Sequence, residues 1–237
     1  GQVLGLIGPN GSGKTTLFDI VSGFIPATSG TISLKGQDVT DLTPEQRARK
    51  GLVRRFQDAR LFPSLTVTEA ILISLEKGYT AKNPLLGGIG APGARRSERR
   101  ARARTDELLG LLELTGYRDT LTGELSTGLR RIVDLACVLA SDPEVLLLDE
   151  PSTGVAQAEA EGLAPLFRRV QRETGCAILI IEHDINLLKA VADEFVALNL
   201  GEVIARGAPD DVLTDPLVLE AYLGTSEAAT NRSGGLT

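Results

Sequence analysis

A glycine-rich run near the start of the 237-residue chain constrains its fold more than any other sequence feature. Residues 8–15 read GPNGSGKT, which fits the pattern G-x-x-x-x-G-K-S/T, between the apolar run Val3–Ile7 and a helix-like segment at 15–20. In such a unit the glycines let backbone N–H groups turn toward a polyphosphate, Lys14 adds positive charge, and the Thr15 hydroxyl can bind Mg²⁺. A glycine-rich turn alone does not explain the flanking elements. The run therefore predicts an α/β fold that binds nucleotide phosphates.

Composition and charge exclude several functional classes. The chain has 25 Lys and Arg against 31 Asp and Glu, a formal net charge of -6, which does not favour binding to nucleic acid. Cys137 and Cys176 lie far apart, so neither a disulfide framework nor a cysteine metal site is indicated, and we expect a reducing cytosol. No apolar stretch is long enough to cross a bilayer. Because methionine is absent even at position 1, we expect a piece of a longer protein.

Short apolar runs alternate with helical stretches, which is typical of a parallel sheet covered by helices. The predicted strands are Val3–Ile7, Leu52–Phe56, Val145–Leu148, Ala177–Ile181 and Glu194–Leu198. The predicted helices are a short one capped by Thr43, then Thr68–Leu75, Ala94–Leu114, Thr127–Ala140 and Ile185–Val191, and two short ones that begin at Pro209 and Pro216.

Strand signals are missing between about Leu65 and Ala140, where only helices and a Gly- and Pro-rich loop at 78–93 are indicated. This pattern predicts a helical subdomain at 65–140, inserted into an α/β core formed by 1–64 and 141–225. The last residues, 226–237, are polar and small, and we expect a disordered tail there.

Two acids follow the apolar strand at 145–148. At the carboxyl end of such a strand, a carboxylate can reach a metal beside bound phosphates, which makes Asp149 a candidate Mg²⁺ ligand. Glu150 is placed to orient an attacking water or accept its proton. Acids after strands are common, so the pattern carries weight mainly together with Lys14 and Thr15.

Two further segments carry candidate functional residues. His183, the only histidine, follows the apolar strand Ala177–Ile181 and can face a terminal phosphate, although a lone histidine is more often structural. Ser126 and Gly128 open a predicted helix. They can act as an ordinary cap, or bind a phosphate through backbone N–H groups and the helix dipole.

Together and in this order, these elements resemble the ATP-binding cassette (ABC) ATPases from Gly1 to about Gly224. Residues 8–16 match the Walker A loop, Gln57 the Q-loop, 125–131 the signature, 145–150 the Walker B strand and His183 the switch histidine. The resemblance implies a P-loop NTPase (RecA-like) parallel sheet core with an inserted helical subdomain. It also implies that two such domains, in a homo- or heterodimer, bind two ATP molecules head to tail between them.

The resemblance also assigns roles to individual residues. It implies that ATP is bound by Gly8, Pro9, Asn10, Gly11, Ser12, Gly13, Lys14, Thr15, Thr16 and Gln57, and across the dimer by Ser126 and Gly128. The implied Mg²⁺ ligands are Thr15, Gln57 and Asp149. The implied catalytic residues are Glu150, as base, and His183, near the γ-phosphate.

The sequence departs from the family pattern in three places. The signature has Thr127 and Leu129 where other residues are usual, and Ala156 stands where many relatives carry an aspartate. The antiparallel strands that hold the adenine-stacking aromatic are expected upstream of Gly1 and are largely missing from this sequence.

The end of the chain resembles the ATPase subunits of branched-chain amino-acid importers. The matching segments are Gly207-Ala208-Pro209, Asp215-Pro216 and Ala221-Tyr222-Leu223-Gly224. The resemblance implies a separate or fused membrane permease as partner, a position at the cytoplasmic face of the cell membrane, and no nucleic-acid partner. The alternatives are the ATPase of a lipid or lipopolysaccharide exporter, a soluble non-transport ABC ATPase, and a P-loop kinase, which leaves Ser126, Gly128 and His183 unexplained.

Overall fold

The structure is a computed structural model that describes residues 1–55, 61–76, 92–154 and 162–223. Its strands are β1 (Val3–Ile7), β2 (Ser33–Leu34), β3 (Gln37–Asp38), β4 (Leu52–Arg55), β5 (Val145–Asp149), β6 (Ala177–Ile181), β7 (Glu194–Asn199) and β8 (Glu202–Gly207). Its helices are α1 (Lys14–Ser22), α2 (Pro44–Arg49), α3 (Val67–Glu76), α4 (Pro92–Leu111), α5 (Thr127–Leu139), α6 (Leu163–Thr174), α7 (Ile185–Val191) and α8 (Pro209–Thr214), and residues 216–223 are also helical.

Within the described ranges, a six-stranded sheet has the strand order β4-β5-β6-β1-β7-β8. β1 runs parallel to both β6 and β7, β5 runs parallel to β6, and β7 and β8 are antiparallel. The predicted α/β fold with a mostly parallel sheet is confirmed. Because the carboxyl ends of parallel strands meet at one edge of a sheet, the segments after β1, β5 and β6 lie side by side.

The described residues divide into two compact units. The first comprises Gly1–Arg54, Glu144–Thr153 and the described residues from Leu163 onward, and it holds almost all of the sheet together with α1, α2, α6, α7 and α8. The second comprises the described residues of Arg55–Pro143 with Gly154 and Gly162, and in it α3 packs against α4 and α5.

The core of the first unit holds α1 against the sheet. Phe18 of α1 is fully buried among apolar side chains from three strands, Leu6 of β1, Leu147 of β5 and Ile181 of β6. Burying an aromatic side chain of this size contributes about 1.5–3 kcal/mol to folding. The packing therefore fixes α1, and the loop before it, above the carboxyl ends of these strands.

The structure corrects the bounds of the longest predicted helix. The sequence predicts α4 over Ala94–Leu114, but α4 begins earlier and ends earlier. Glu113 takes a left-handed conformation with φ 58°. Its N–H and that of Leu114 bond to the carbonyls of Gly110 and Leu109, which is the Schellman pattern that ends a helix.

Several predicted features lie outside the described residues: Phe56 and Gln57, most of the loop at 78–93, Ala156 and the tail at 226–237. Their predicted structures and roles stay predictions.

Arg47 of α2 is fully buried, although the segment around it reads as a polar surface helix. Its guanidinium donates to the backbone carbonyls of Ile20 at 2.6 Å, Val21 at 2.7 Å, Thr40 at 2.5 Å and Leu42 at 3.0 Å. Two of these carbonyls belong to the last turn of α1, where regular helical bonding ends. Arg47 therefore ties the C-terminal end of α1 to the segment before α2.

We expect Arg47→Met to lower the free energy of unfolding by about 3–5 kcal/mol, because four partly buried carbonyls lose a charged donor together. Arg49→Met, two residues further along α2, serves as the control. It removes only an exposed ion pair with Glu45 and is expected to cost less than about 1 kcal/mol. Urea unfolding followed by circular dichroism measures both. Equal losses in the two variants would contradict the assigned role of Arg47.

Candidate active site

The loop between β1 and α1 depends on glycine at specific positions. Gly8, Gly11 and Gly13 have φ angles of 150, 79 and 102°, a region that residues with a Cβ avoid. A Cβ on Gly8 would lie 2.2 Å from the carbonyl oxygen of Leu198, whereas a Cβ on Gly11 would meet nothing within 4 Å. Gly8 is therefore required by both backbone angle and space, and Gly11 by the angle alone.

The loop leads into the N-terminus of α1 with unused backbone donors. The first hydrogen bond of the helix runs from the Leu17 N–H to the Gly13 carbonyl at 2.8 Å, so the helix itself does not use the N–H groups just before Leu17. Asn10, Thr15 and Thr16 are exposed here. N–H groups that the helix does not use and the positive end of the helix dipole together form an arrangement that binds phosphate.

The Lys14 side chain folds back over the loop and is buried. Its Nζ donates to the carbonyl oxygens of Gly8 at 2.7 Å and Pro9 at 3.0 Å. Burial lowers the pKa of Lys14, and the negative charges of Glu150 and Asp149 oppose this shift. The ammonium is thus held by two neutral carbonyls and also interacts with the two acids that the sequence analysis selected.

Asp149, at the end of β5, is buried beside Arg54 of β4. The Arg54 guanidinium donates to Asp149 Oδ2 at 2.8 Å, pairs with Asp19 of α1, and lies 5.6 Å from the centre of the Phe18 ring. Burial raises the pKa of Asp149, and Arg54 partly offsets this effect. Oδ1 of Asp149 is buried and has no hydrogen-bond partner among the described residues, a situation that a bound cation would resolve.

The donors near this oxygen fit Mg²⁺ bound together with phosphates. The described part of the chain contains no group of three or more His, Cys, Asp or Glu side chains that could hold a metal alone. Mg²⁺ prefers oxygen ligands, keeps several waters, and is commonly held by one or two protein groups plus substrate phosphates. The Asp149 carboxylate and the exposed Thr15 hydroxyl in the first turn of α1 are donors of that kind.

Glu150 is held in a strained conformation that directs its carboxylate toward His183. Its φ is 47°, a left-handed value that costs a residue with a Cβ about 1–2 kcal/mol. Its N–H donates to the Ile181 carbonyl at 2.9 Å, its Oε1 lies 2.9 Å from His183 Nε2, and its Oε2 accepts from the Thr153 hydroxyl at 3.1 Å. Strain of this kind persists where the surroundings fix it, and it is frequent at functional sites.

Glu182 organises the same region, although the sequence analysis gives it no role. It is buried directly after β6, and its carboxylate accepts from the N–H of Ser152 at 3.0 Å and of His183 at 2.8 Å. One side chain thus joins the segments that follow β5 and β6. An acid at the end of an almost wholly apolar strand is the sequence signal that identifies it.

Ser126 and Gly128 lie in the second unit, at the start of α5. Ser126 is the N-cap, and its hydroxyl accepts from the Leu129 N–H at 3.2 Å. Ser126 is exposed and Gly128 is buried. The capping interpretation is therefore confirmed. The phosphate-binding interpretation stays a prediction, which the positive end of the helix dipole at this exposed position favours.

The first unit brings residues 8–16 together with Asp149, Glu150 and His183, which lie more than a hundred positions later in the sequence. Gln57 is outside the described residues. Known proteins resemble this chain in sequence profile, in whole-chain sequence and in fold. A profile described as ABC transporter matches residues 1–153, and one described as branched-chain amino acid ATP-binding cassette transporter matches residues 202–228.

The chain belongs to the ABC transporter family. The high-affinity branched-chain amino acid transport ATP-binding protein BraF of Pseudomonas aeruginosa is 37% identical over 223 residues, covering 94% of this chain and 87% of the relative. LivG of Escherichia coli K12, with the same description, is 35% identical over 224 residues, with coverage of 94% and 87%.

Solved structures of ABC cassettes have the same fold. A nucleotide-free ATP-binding cassette from an ABC transporter has a TM-score of 0.74 and 30% identity, covering 93% of this chain and 87% of the other. An ABC transporter cassette in its ADP conformation has a TM-score of 0.74 and 29% identity, with coverage of 94% and 88%. The predicted family, P-loop NTPase fold and ATPase activity of this ABC transporter component are confirmed.

No helix in the described ranges is long and apolar enough to span a membrane.

We expect Gly11→Ala to lower the free energy of unfolding by about 1–2 kcal/mol, the cost of a left-handed alanine with open space around it. Gly8→Ala adds a collision with the Leu198 carbonyl and is expected to cost about 1–3 kcal/mol more. Urea unfolding of the matched pair measures the difference. A Gly8→Ala variant as stable as Gly11→Ala would contradict the loop geometry.

Proposed function

We propose that this ABC protein is the ATP-hydrolysing subunit of a transporter that imports branched-chain amino acids. The observation that carries its catalytic part is the Glu150–His183 contact of 2.9 Å, at the edge of the sheet where Asp149 and the phosphate loop also lie. The substrate is supported by the profile match at 202–228 and by the names of the most similar relatives.

In this proposal the loop and the first turn of α1 hold the ATP phosphates. The residues involved are Gly8, Pro9, Asn10, Gly11, Ser12, Gly13, Lys14, Thr15 and Thr16, with Gln57 contributing from outside the described residues. In this structure the Lys14 ammonium donates hydrogen bonds to two backbone carbonyls. A phosphate oxygen offers it a stronger, charge-assisted hydrogen bond, so we infer that Lys14 turns to the phosphates when ATP binds.

Thr15, Gln57 and Asp149 are the residues that would hold Mg²⁺. When bound, Mg²⁺ neutralises charge on the β- and γ-phosphates. The orphaned Oδ1 of Asp149 supports this assignment. Arg54 donates to Oδ2, so Oδ1 is the oxygen of this carboxylate that would bind the metal.

Glu150 is the proposed general base. The attacking water forms a bond to the γ-phosphorus, the bond from that phosphorus to the β–γ bridging oxygen breaks, and Glu150 accepts the proton that the water loses. Contacts with His183 and Thr153 restrict the carboxylate to one region before substrate arrives. His183 is half exposed, which leaves its ring accessible to the γ-phosphate.

The proposed ATP site is composite. We assign residues 1–64 and 141–225 to the nucleotide-binding core, 65–140 to a helical subdomain, and 226–237 to a disordered tail. The division of the described residues into two units supports the first two assignments. In a homo- or heterodimer with a second ABC ATPase domain, the Ser126 and Gly128 end of α5 would bind the phosphates held by the partner's loop.

The dimer would act on a membrane permease, either a separate subunit or a fused domain, at the cytoplasmic face of the membrane. ATP binding would then draw two cassettes together, and hydrolysis would release them. Because a ligand shifts an equilibrium only through its different affinity for the two states, the work on the permease comes from ATP binding the closed dimer more tightly.

We expect Glu150→Gln to slow ATP hydrolysis at least about a hundredfold and to leave ATP affinity nearly unchanged, because the amide keeps the shape of the side chain but cannot accept the proton. Phosphate release and equilibrium nucleotide binding measure the two effects. Glu144→Gln, which removes only an exposed ion pair with Lys35 at the start of β5, serves as control and should hydrolyse normally.

The same substitution in the chromosomal gene tests the ATPase assignment and the substrate assignment independently. We expect uptake of radiolabelled leucine to fall with the loss of hydrolysis. Normal hydrolysis by Glu150→Gln would overturn the catalytic assignment. Lost hydrolysis with unchanged leucine uptake, or with a defect in lipopolysaccharide export, would overturn the substrate and leave the ATPase assignment intact.

A further inference from the structure

A hydrogen bond joins the end of the described chain to the first residue of the phosphate loop. The N–H of Gly8 donates to the Tyr222 hydroxyl at 2.9 Å, across 214 positions in sequence. Gly8 directly follows β1, so this N–H lies where the strand ends and the loop begins. Tyr222 also lies within the segment that matches the branched-chain transporter profile, residues 202–228.

The helix at 216–223 places Tyr222 by its pattern of buried residues. Asp215 caps the helix, accepting from the Leu217 N–H at 2.8 Å, and Pro216 occupies the first helical position. Val218 is 2% exposed, and Tyr222, four positions later, lies on the same face. The face of the helix that carries the buried Val218 therefore also carries, one turn later, a hydroxyl that reaches the loop.

The β7–β8 hairpin contacts the same loop at two further points. The N–H of Gly201, in the turn of the hairpin, donates to the Ser12 carbonyl at 2.9 Å. The Leu198 carbonyl oxygen lies 2.2 Å from the position that a Cβ on Gly8 would take. α8 packs on β7 and β8 and carries the chain from the hairpin to the Tyr222 helix. The hairpin and the C-terminal helix thus fix both Gly8 and Ser12 from outside the loop.

We propose that Tyr222 is a positioning residue for the phosphate loop, through which the C-terminal helix raises the affinity of the chain for the phosphates of ATP and ADP. The inference rests on the proposed phosphate-binding role of residues 8–16. It adds a role for the segment after β7, to which the ATPase chemistry itself assigns none.

The expected effect follows from the population of the binding-competent loop. When only a fraction of molecules has the competent conformation, the apparent dissociation constant rises in proportion to the reciprocal of that fraction. One hydrogen bond that favours the competent conformation changes this fraction by about three- to tenfold. The bond acts before chemistry, so it should alter nucleotide affinity and KM and leave kcat almost unchanged.

The test is nucleotide binding and hydrolysis by the full chain with Tyr222→Phe, which removes one oxygen and keeps the ring. We expect the dissociation constants for ATP and ADP and the KM for ATP to rise about three- to tenfold, with kcat within about twofold. Tyr117→Phe is the matched control. Tyr117 is 40% exposed, against 39% for Tyr222, and its hydroxyl has no hydrogen bond to a described residue.

Hydrogen exchange gives a second reading that ordinary loss of stability would not produce. Because coupling between two sites is reciprocal, ADP should slow amide exchange in residues 216–223 of the native chain, and should do so less in Tyr222→Phe. A variant that only lost stability would exchange faster with and without ADP, while the affinity of its folded fraction stayed native.

The Lys14→Ala variant distinguishes failure of the Tyr222 role from failure of the proposed phosphate site. If Lys14→Ala loses nucleotide binding and Tyr222→Phe binds ATP and ADP as the native chain does, the positioning role of Tyr222 is wrong and the phosphate site stands. If Lys14→Ala also binds ATP normally, both the phosphate site and the role of Tyr222 are wrong.

Discussion

The structure depends on a buried ammonium in a loop of backbone dipoles. Lys14 is buried and forms no ion pair with a carboxylate of the described residues; it donates to the carbonyls of Gly8 and Pro9 and interacts with the charges of Asp149 and Glu150 over a longer range. Burying a charge on neutral partners alone is unfavourable. Phosphate oxygens would therefore give the Lys14 ammonium a stronger partner than the two carbonyls do, and the loop glycines, α1 and the neighbouring strands hold the ammonium in place.

Partners hold the two neighbouring acids in different ways: Asp149 has a partner on one oxygen, and Glu150 has a partner on each. Arg54 takes one oxygen of Asp149 and leaves the other buried and unpaired within the described structure, while His183 and Thr153 hold Glu150. Breaking a buried pair of the Arg54 kind typically costs about 3–5 kcal/mol, because it leaves an uncompensated charge. The same contacts that stabilise this unit thus also orient its reactive groups.

The elements whose signals are local are predictable from the sequence. The strand before Asp149, the loop around Lys14 and the cap at Ser126 each follow from a few adjacent residues. β8 was not predicted, because it is an edge strand with polar residues. Its position is set by pairing with β7. Arg54 and Tyr222 escaped for a related reason: each acts through a partner about a hundred or more positions away, which no local pattern specifies.

The most direct test of the account is a crystal structure of the Glu150→Gln chain with ATP and Mg²⁺. We predict that the Lys14 Nζ leaves the carbonyls of Gly8 and Pro9 for the β- and γ-phosphates, that Oδ1 of Asp149 faces the metal or a water bound to it, and that residue 150 faces the γ-phosphate. Triphosphate bound away from this loop, or Lys14 still on the two carbonyls with ATP bound, would contradict it.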